Sequence, residues 1–545
     1  MFHSRRWLLK NAVLGGAGLV AAPRPGSASE PAVCAAGQQP LRWNSGIEGQ
    51  RKADLGNGAY LNPILAGDHP DPSILKDGDD YYMTFSSFEA NPGLIIWHSR
   101  DLVNWTPIGP ALHRALGTVF AVDLCKHNGR FYIYIPIIPT AISTGMNGQS
   151  GIFVIHADDI KGPWSEPVSL KISGYIDPGH IVGEDGRRYL FLSGISRVRL
   201  TDDGLATDGP IEHVYDGWKY PDDWVVEAYS LEGPKLLRRD GWFYLVSAVG
   251  GTSGPPTGHM VIVARSRSIH GPWENHPRNP IVRTRSDRES WWSRGHATLV
   301  EGLNGDWWAV YHGYENGYRT LGRQTLLEPI AWAADGWPQA LGGDLSSPIA
   351  KPKGGQAGAH GFALSDDFAQ SRMGTQWTFF EPEIGEANRV HAAGGSMTLA
   401  AKGAAPGSSS PLTCLVGDHG YEVSVDMEVE AGAEGGLLLF YNRNHYLGMG
   451  HDGTQMSTYQ FGQKSVFWRE PAPRTNRLHL KIVNDRHIVT FYYSADGSAW
   501  TRHGLRSEAS GYHTNVAGDL LSLRPALFAT GTGQVRFRNF RYRAI

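Results

Sequence analysis

Three acidic residues stand where a carboxylate is held still: Asp71 in His69-Pro70-Asp71-Pro72-Ser73, Asp177 in Tyr175-Ile176-Asp177-Pro178-Gly179, and Glu232 in Leu231-Glu232-Gly233-Pro234. Proline fixes its own φ and restricts the residue before it, which limits how a neighbouring side chain moves. Cleaving a glycosidic bond needs two carboxyl groups in different states. One protonates the leaving oxygen and the other activates water or attacks directly. A third carboxylate nearby raises the acid's pKa by like-charge repulsion, so that it keeps its proton near neutral pH. Taken singly, Asp-Pro and Glu-Gly-Pro are ordinary turn chemistry. Catalysis requires that the three meet.

Their register along the chain supplies that meeting. Five turn dipeptides, Asp77-Gly78, Asn128-Gly129, Asp185-Gly186, Asp240-Gly241 and Asn304-Gly305, are each followed by aromatic strand residues. A polar residue (Asp71, Asp123, Asp177, Glu232 or His296) stands six to nine residues before each turn glycine. Asn-Gly and Asp-Gly between extended runs mark tight hairpins, because a type I′ turn needs positive φ at both centres. The glycines are 51, 57, 55 and 64 residues apart. A stranded unit repeated at such a period indicates a propeller, and equivalent places in its blades converge at the axis. The spacing therefore predicts a five-bladed β-propeller over residues 61–350, with the five polar residues opening its innermost strands.

The outer strands repeat as well. Ile95 to Ser99 leads to Trp105, Phe153 to Ala157 leads to Trp164, and Ile262 to Ser266 leads to Trp273; the third unit, 197–207, lacks this Trp. Residues 351–364, rich in Gly, Ala and Lys, have linker composition. Over 365–545 strand-type alternation returns, as in Tyr421 to Met427, Leu478 to Ile482 and Gln534 to Arg543, without helical runs. This predicts a jelly-roll-like β-sandwich and an all-β protein.

With 545 residues the chain exceeds one small core. A net charge of −3 without a basic stripe excludes nucleic acid as a partner. The 18 Trp, 22 Tyr and 19 Phe suit packing between blades and stacking on sugar rings. Three cysteines, Cys34, Cys125 and Cys414, make neither a disulfide framework nor a zinc site. The few His and Cys pairs at ligand spacing argue against a catalytic transition metal. No segment reaches the roughly 18 apolar residues that span a membrane. Composition carries no signal for oligomeric state. Ser4-Arg5-Arg6-Trp7-Leu8-Leu9-Lys10, a weakly apolar glycine-rich stretch and the small residues Gly26-Ser27-Ala28 resemble a twin-arginine export signal over 1–28, with Leu8 in place of the usual Phe. The expectation is export to the periplasm or beyond, with residues 29–60 as a polar leader.

Asn62-Pro63-Ile64-Leu65 through Asp71-Pro72-Ser73-Ile74, Ser86-Ser87-Phe88, Ser99 to Trp105, Asp177-Pro178, Glu232-Gly233-Pro234, Gly295-His296-Ala297 and Gly322-Arg323-Gln324-Thr325 together resemble glycoside hydrolase family 43. From Asp366-Asp367-Phe368 onward the chain is similar to the concanavalin-like sandwich of that family's β-xylosidase and arabinofuranosidase branch. The resemblance implies an exo-acting, inverting hydrolase of hemicellulose-derived oligosaccharides or polysaccharides. In it Asp71 is the general base, Glu232 the general acid, and Asp177 the residue that tunes and orients the acid. Inversion leaves room for a water, which places base and acid roughly 6.5–9.5 Å apart. The resemblance further makes Arg323 a ligand of substrate hydroxyls. His296 lines the sugar site and helps hold a central cation, calcium or another, through water. No cofactor is required for the chemistry. Phe88 and Trp97 are candidates for lining the sugar, and Trp291 and Trp292 for stacking.

Two departures stand out. Phe120-Ala121-Val122-Asp123 replaces the family's Trp-Ala-Pro-Asp, so Asp123 is given no catalytic role. Glu89, Ala90 and Asn91 stand before Pro92-Gly93 where close β-xylosidases carry two bulky aromatics, which removes an aromatic shelf and argues against a strict xylosidase specificity. Two other readings fit the same residues: a retaining fructan-active enzyme with carboxylates roughly 5–5.5 Å apart, and a noncatalytic carbohydrate-binding propeller.

Overall fold

The computed structural model describes residues 42–138, 150–465 and 473–545. The export-signal reading falls outside them. Among the described residues no helix is long and apolar enough to cross a membrane.

Five antiparallel sheets follow one another along the chain, each running from an innermost to an outermost strand. Blade one is Ser73–Asp77, Asp80–Thr84, Gly93–Ser99 and Thr106–Leu112. The innermost strands of blades two to five are Asp123–His127, Gly179–Val182, Glu232–Arg239 and Trp291–Glu301. All five turn dipeptides join the first strand of a blade to its second, but not by one turn type. Asn128-Gly129 and Asp240-Gly241 have positive φ at both centres, whereas the blade-one turn is centred on Gly78 and Asp79, with only the glycine at positive φ. A flexible Gly at one centre is enough to reverse the chain there.

The repeated Trp is a blade-closing residue. Trp105 is fully buried and donates Nε1–H to Leu102 O at 2.9 Å, so its polar edge is satisfied while its rings fill the core of blade one. In blade three, which lacks the Trp, Arg197 takes over. Its guanidinium donates to Ile269 O at 2.9 Å, pairs with Glu212 at 2.6 Å and lies over Tyr189.

The ring is closed by Ala59–Tyr60 pairing with Ile349–Ala350, which ties the start of the propeller to its end. Residues 351–364, despite their linker composition, are packed. Lys351 Nζ bridges Asp54 at 2.6 Å and Asp101 at 2.9 Å, and the Phe362 ring meets Trp97. The leader is equally engaged from residue 43 onward. Arg51 pairs with Glu315 at 2.9 Å, donates to Gln324 Oε1 at 2.8 Å and reaches Gly417 O at 2.7 Å.

Residues from 377 onward form two packed sheets of eight and seven strands around one apolar core. The eighth strand of the larger sheet comes from the propeller: Ala90–Asn91 pairs with Phe379 and Phe380. The segment where small residues replace aromatics is thus a strand of the sandwich. Gly67 explains how close the two parts come, since a Cβ there would lie 2.7 Å from Val416 O.

Candidate active site

Asp71 and Asp177 lie two residues before their innermost strands, Asp123 and Glu232 open theirs, and His296 sits at a bulge in its own. Asp71, Asp177 and His296 adopt φ of 55°, 55° and 61°, and Gly233, next to Glu232, adopts 62°. Left-handed backbone at a non-glycine residue costs of order 1–3 kcal/mol and persists where the surroundings over-determine it. Three blades make this departure at the polar residue itself, and a fourth places a glycine in the same conformation one residue on.

A chain of side-chain and backbone contacts joins the acids into one hub. His296 Nδ1 lies 3.5 Å from Asp71 Oδ1. The His296 ring packs against Gly233 so tightly that a Cβ there would come within 2.9 Å of it. The Gly233 N–H donates to Asp177 Oδ2 at 3.0 Å. Asp71 Oδ1 accepts from Arg323 Nη1 at 2.9 Å and lies 3.0 Å from His312 Nδ1, while Oδ2 accepts from Ser86 Oγ at 2.6 Å. The same His312 nitrogen accepts the Asp71 backbone N–H at 3.1 Å, and its Nε2 meets Thr252 Oγ1 at 3.2 Å.

The three acids occupy different charge states. For Asp71 burial alone would favour the neutral form, but the Arg323 guanidinium in contact with it leads the opposing effects and holds the carboxyl well below its ordinary range. Asp177 is pushed up to about 7 by burial and by the charge of Asp71, against the Gly233 hydrogen bond. Glu232 is raised well above its ordinary value by burial, then by Asp177 and Asp71. The imidazoles beside it are neutral: burial lowers His296 to about 3 and His259 well below the usual histidine range. At neutral pH the hub therefore holds an ionised Asp71, a protonated Glu232 and an Asp177 between them.

Arg323 keeps Nε and Nη2 buried with no acceptor, two N–H edges left over after it has engaged Asp71. Phe88 lies under this guanidinium, 5.4 Å from ring centroid to Cζ, and meets Phe120 edge-on. Trp97 does not join the acids. It is 6% exposed, packs edge-on against His69 and Phe362, and lines a cavity with Asp68, Ser86 and Phe88. Trp291 is buried between blades four and five, whereas half-buried Trp292 lies beside the Arg319 guanidinium. Asp123 is an axial clamp: it pairs with buried Lys235 at 2.7 Å and accepts the His180 N–H at 2.8 Å, and Lys235 also donates to Val122 O and Pro178 O.

Several residues at the hub lie outside the blade repeat, and of them only Ser86 stood in a quoted motif. Ser86, His312, His259 and Thr252 lie on second and third strands or their loops, outside the repeated offset. The furthest removed is Arg524 of the sandwich, which pairs with Asp68 at 2.9 Å. Asp68 in turn accepts the Arg323 backbone N–H at 3.1 Å.

Ligand atoms of Glu232, His259 and His296 lie within 4.8 Å of one another, and His296 Nε2 and both His259 ring nitrogens are buried without a partner. Two imidazoles and one carboxyl are too poor in oxygen to cage calcium directly. They are compatible with a hydrated cation touched through water.

The sequence model of glycosyl hydrolases family 43 matches residues 60–338, and that of the β-xylosidase C-terminal concanavalin A-like domain matches 365–543. A non-reducing end α-L-arabinofuranosidase of Bacteroides ovatus is 35% identical over 346 residues, 60% of this chain and 62% of its own. A xylan 1,3-β-xylosidase of a Vibrio species is 33% identical over 362 residues, 59% of this chain. The chain spans under two thirds of both relatives, 62% and 65% of their lengths. Among solved structures, the xylan β-1,4-xylosidase of Bacillus halodurans superimposes with a TM-score of 0.78 at 25% identity, covering 89% of this chain and 99% of that one.

Proposed function

The chain belongs to glycosyl hydrolases family 43, and on that premise we propose that it is an exo-acting glycosidase. It removes β-xylosyl or α-L-arabinofuranosyl residues from plant cell-wall polysaccharides or oligosaccharides by a single inverting displacement. The observation that carries this reading is the set of unlike charge states at one hub: Asp71 ionised, Glu232 protonated, Asp177 near its midpoint at neutral pH.

Asp71 is the base. Held by Ser86 and Arg323, it takes a proton from water as that water attacks the anomeric carbon. Glu232 gives its proton to the leaving oxygen, and Asp177 keeps that proton in place by like charge and fixes the neighbouring Gly233 N–H. The unpartnered N–H groups of Arg323 are the donors for sugar hydroxyls. The near-complete burial of Asp71 and Asp177, each 4% exposed, suits a terminal sugar entering a closed pocket rather than a chain passing across a cleft. Relatives named for both sugars support the paired specificity. His296, touching a cation through water, is retained as part of the proposal. So is export through residues 1–28, which a fusion of that segment to a reporter folded before export would test.

The deciding experiment is a paired assay on aryl β-xyloside and aryl α-L-arabinofuranoside, with proton NMR of the first-formed anomer. Inversion on at least one substrate is expected. Net retention would favour the nucleophilic, fructan-type mechanism, and no turnover of either would favour a binding propeller.

A further inference from the structure

A groove of about 770 Å³, lined by none of the hub residues, runs beside blades four and five. Trp224 on one wall and Arg278 to Arg285 on another belong to the segments that lead into the innermost strands Glu232–Arg239 and Trp291–Glu301.

Its charges are unbalanced. Four arginines line it: Arg278, Arg283, Arg285 and Arg294. Its acids are already engaged. Glu289 pairs with Arg294 at 3.1 Å and accepts the Arg285 backbone N–H at 2.6 Å. Glu328 accepts from Tyr311 and from the Gly342 N–H, and Asp344 accepts from Ser346. Arg278, Arg283 and Arg285 have no ion-pair partner among the described residues. The Arg283 guanidinium lies 3.2 Å from the centroid of the Trp224 ring, and the Nε atoms of Arg283 and Arg294 are buried with no acceptor. Burial and the neighbouring charge of Arg285 depress Arg283, and Asp223 and Glu289 oppose this from beyond ion-pair range. A cation desolvated against an indole, beside like charge and with an unmet donor, is completed by an anion.

We propose that this groove binds the carboxylate of a uronic acid sugar. A planar carboxylate matches the fork of a guanidinium, the volume admits a pyranose ring, and Pro280, Ile281 and Ala340 offer an apolar wall to the ring's CH face. The chain's net charge of −3 argues against a polyanion as the occupant. Choosing a sugar over any other small carboxylate rests on the proposed glycosidase reading.

The test is a saturation-transfer NMR titration of the full chain with D-glucuronate, D-glucose and acetate at fixed ionic strength, for wild type, R283Q and R285Q. Glucuronate is expected to saturate in roughly the millimolar range, with glucose and acetate showing no saturation there. R283Q is expected to weaken glucuronate by about tenfold, R285Q by less, both with unchanged melting temperature and unchanged turnover of neutral aryl glycosides. Absence of saturable glucuronate binding overturns the proposal, as does binding that neither variant weakens. Acetate binding as tightly as glucuronate would make the site an anion hole with no sugar recognition, which also overturns it. Failure of turnover on both aryl glycosides would instead strike the hydrolase reading and leave the binding result standing.

Discussion

Replacing Arg524 with Met tests whether the sandwich takes part in catalysis. Arg524 Nη2 holds Asp68 Oδ2 at 2.9 Å, Asp68 Oδ1 accepts the Arg323 backbone N–H at 3.1 Å, and Arg323 Nη1 holds the base at 2.9 Å. The Asp68 side chain is 2% exposed and that of Arg524 12%. Removing the cation strands the deeper charge, which costs about 3–5 kcal/mol. Burial already raises Asp68 above its ordinary value, with Arg524 and then Arg323 resisting. Without Arg524 it rises further and the carboxyl takes up a proton. The sign follows from a folded pKa above the unfolded value of about 3.9. The stabilising contribution is complete below that value and is lost as pH rises through the folded pKa. The stability gap between wild type and R524M should therefore be small near about pH 4 and reach its full size by about pH 8. Thermal unfolding across that range measures it. At neutral pH kcat/KM should fall about ten- to a hundredfold, because the backbone of Arg323 loses its anchor and the base its alignment. R524K should recover much of both. D68N should cost less and show little pH dependence, since it strands the charge nearer water and its amide oxygen still accepts from Arg323. A stability gap equal at every pH, or an R524M enzyme with wild-type kcat/KM, would refute the reasoning.

E232Q should lose about 10²–10⁴-fold in kcat on substrates with poor leaving groups and keep most activity on activated aryl glycosides; equal loss on both would remove Glu232 from the acid's role. D71N should abolish turnover of both substrate classes, measured as initial rates, because no leaving group substitutes for an activated water. In D177N the charge that raises Glu232 is gone, so the acid gives up its proton at lower pH; the basic limb of the kcat/KM profile should move to lower pH, and an unmoved limb would separate Asp177 from Glu232. K235M strands the buried Asp123 carboxylate and should destabilise by about 3–5 kcal/mol in a denaturant melt, with an effect on stability larger than on KM; a stability change near zero would contradict its place as an axial clamp.

What the sequence made legible was what repetition encodes. Asp71, Asp177, Glu232 and His296 could be grouped because each stands seven to nine residues before a turn glycine, and the fold brings them to one hub. The left-handed backbone at Asp71, Asp177 and His296 was not legible, since Pro after Asp71 and Asp177 points to extended conformations. The contacts of Trp97 with His69 and Phe362 were not legible either, since residue type alone names no partner. Asp68 and Arg524 are 456 residues apart, with no local pattern to pair them. Ala90 and Asn91 were visible as missing aromatics, but only the fold shows why small residues belong there: their backbone extends the sandwich sheet. Composition likewise marked 351–364 as linker, where Lys351 sits between Asp54 and Asp101.

Which acid does which job follows from where one guanidinium is placed. Asp71 and Asp177 are buried and Glu232 is partly so, and desolvation drives each toward the neutral form. Only Asp71 has a cation in direct contact, Arg323, so it alone stays ionised throughout the working range. Its charge then raises the other two, and Asp177 escapes part of that effect through the Gly233 N–H. Glu232 has no comparable relief, because His296 and His259 beside it are neutral and add no positive charge. The neutrality of these imidazoles is therefore as necessary to the acid as the charge of Arg323 is to the base. A histidine protonated beside Glu232 would lower the acid's pKa and weaken its hold on the proton it must deliver.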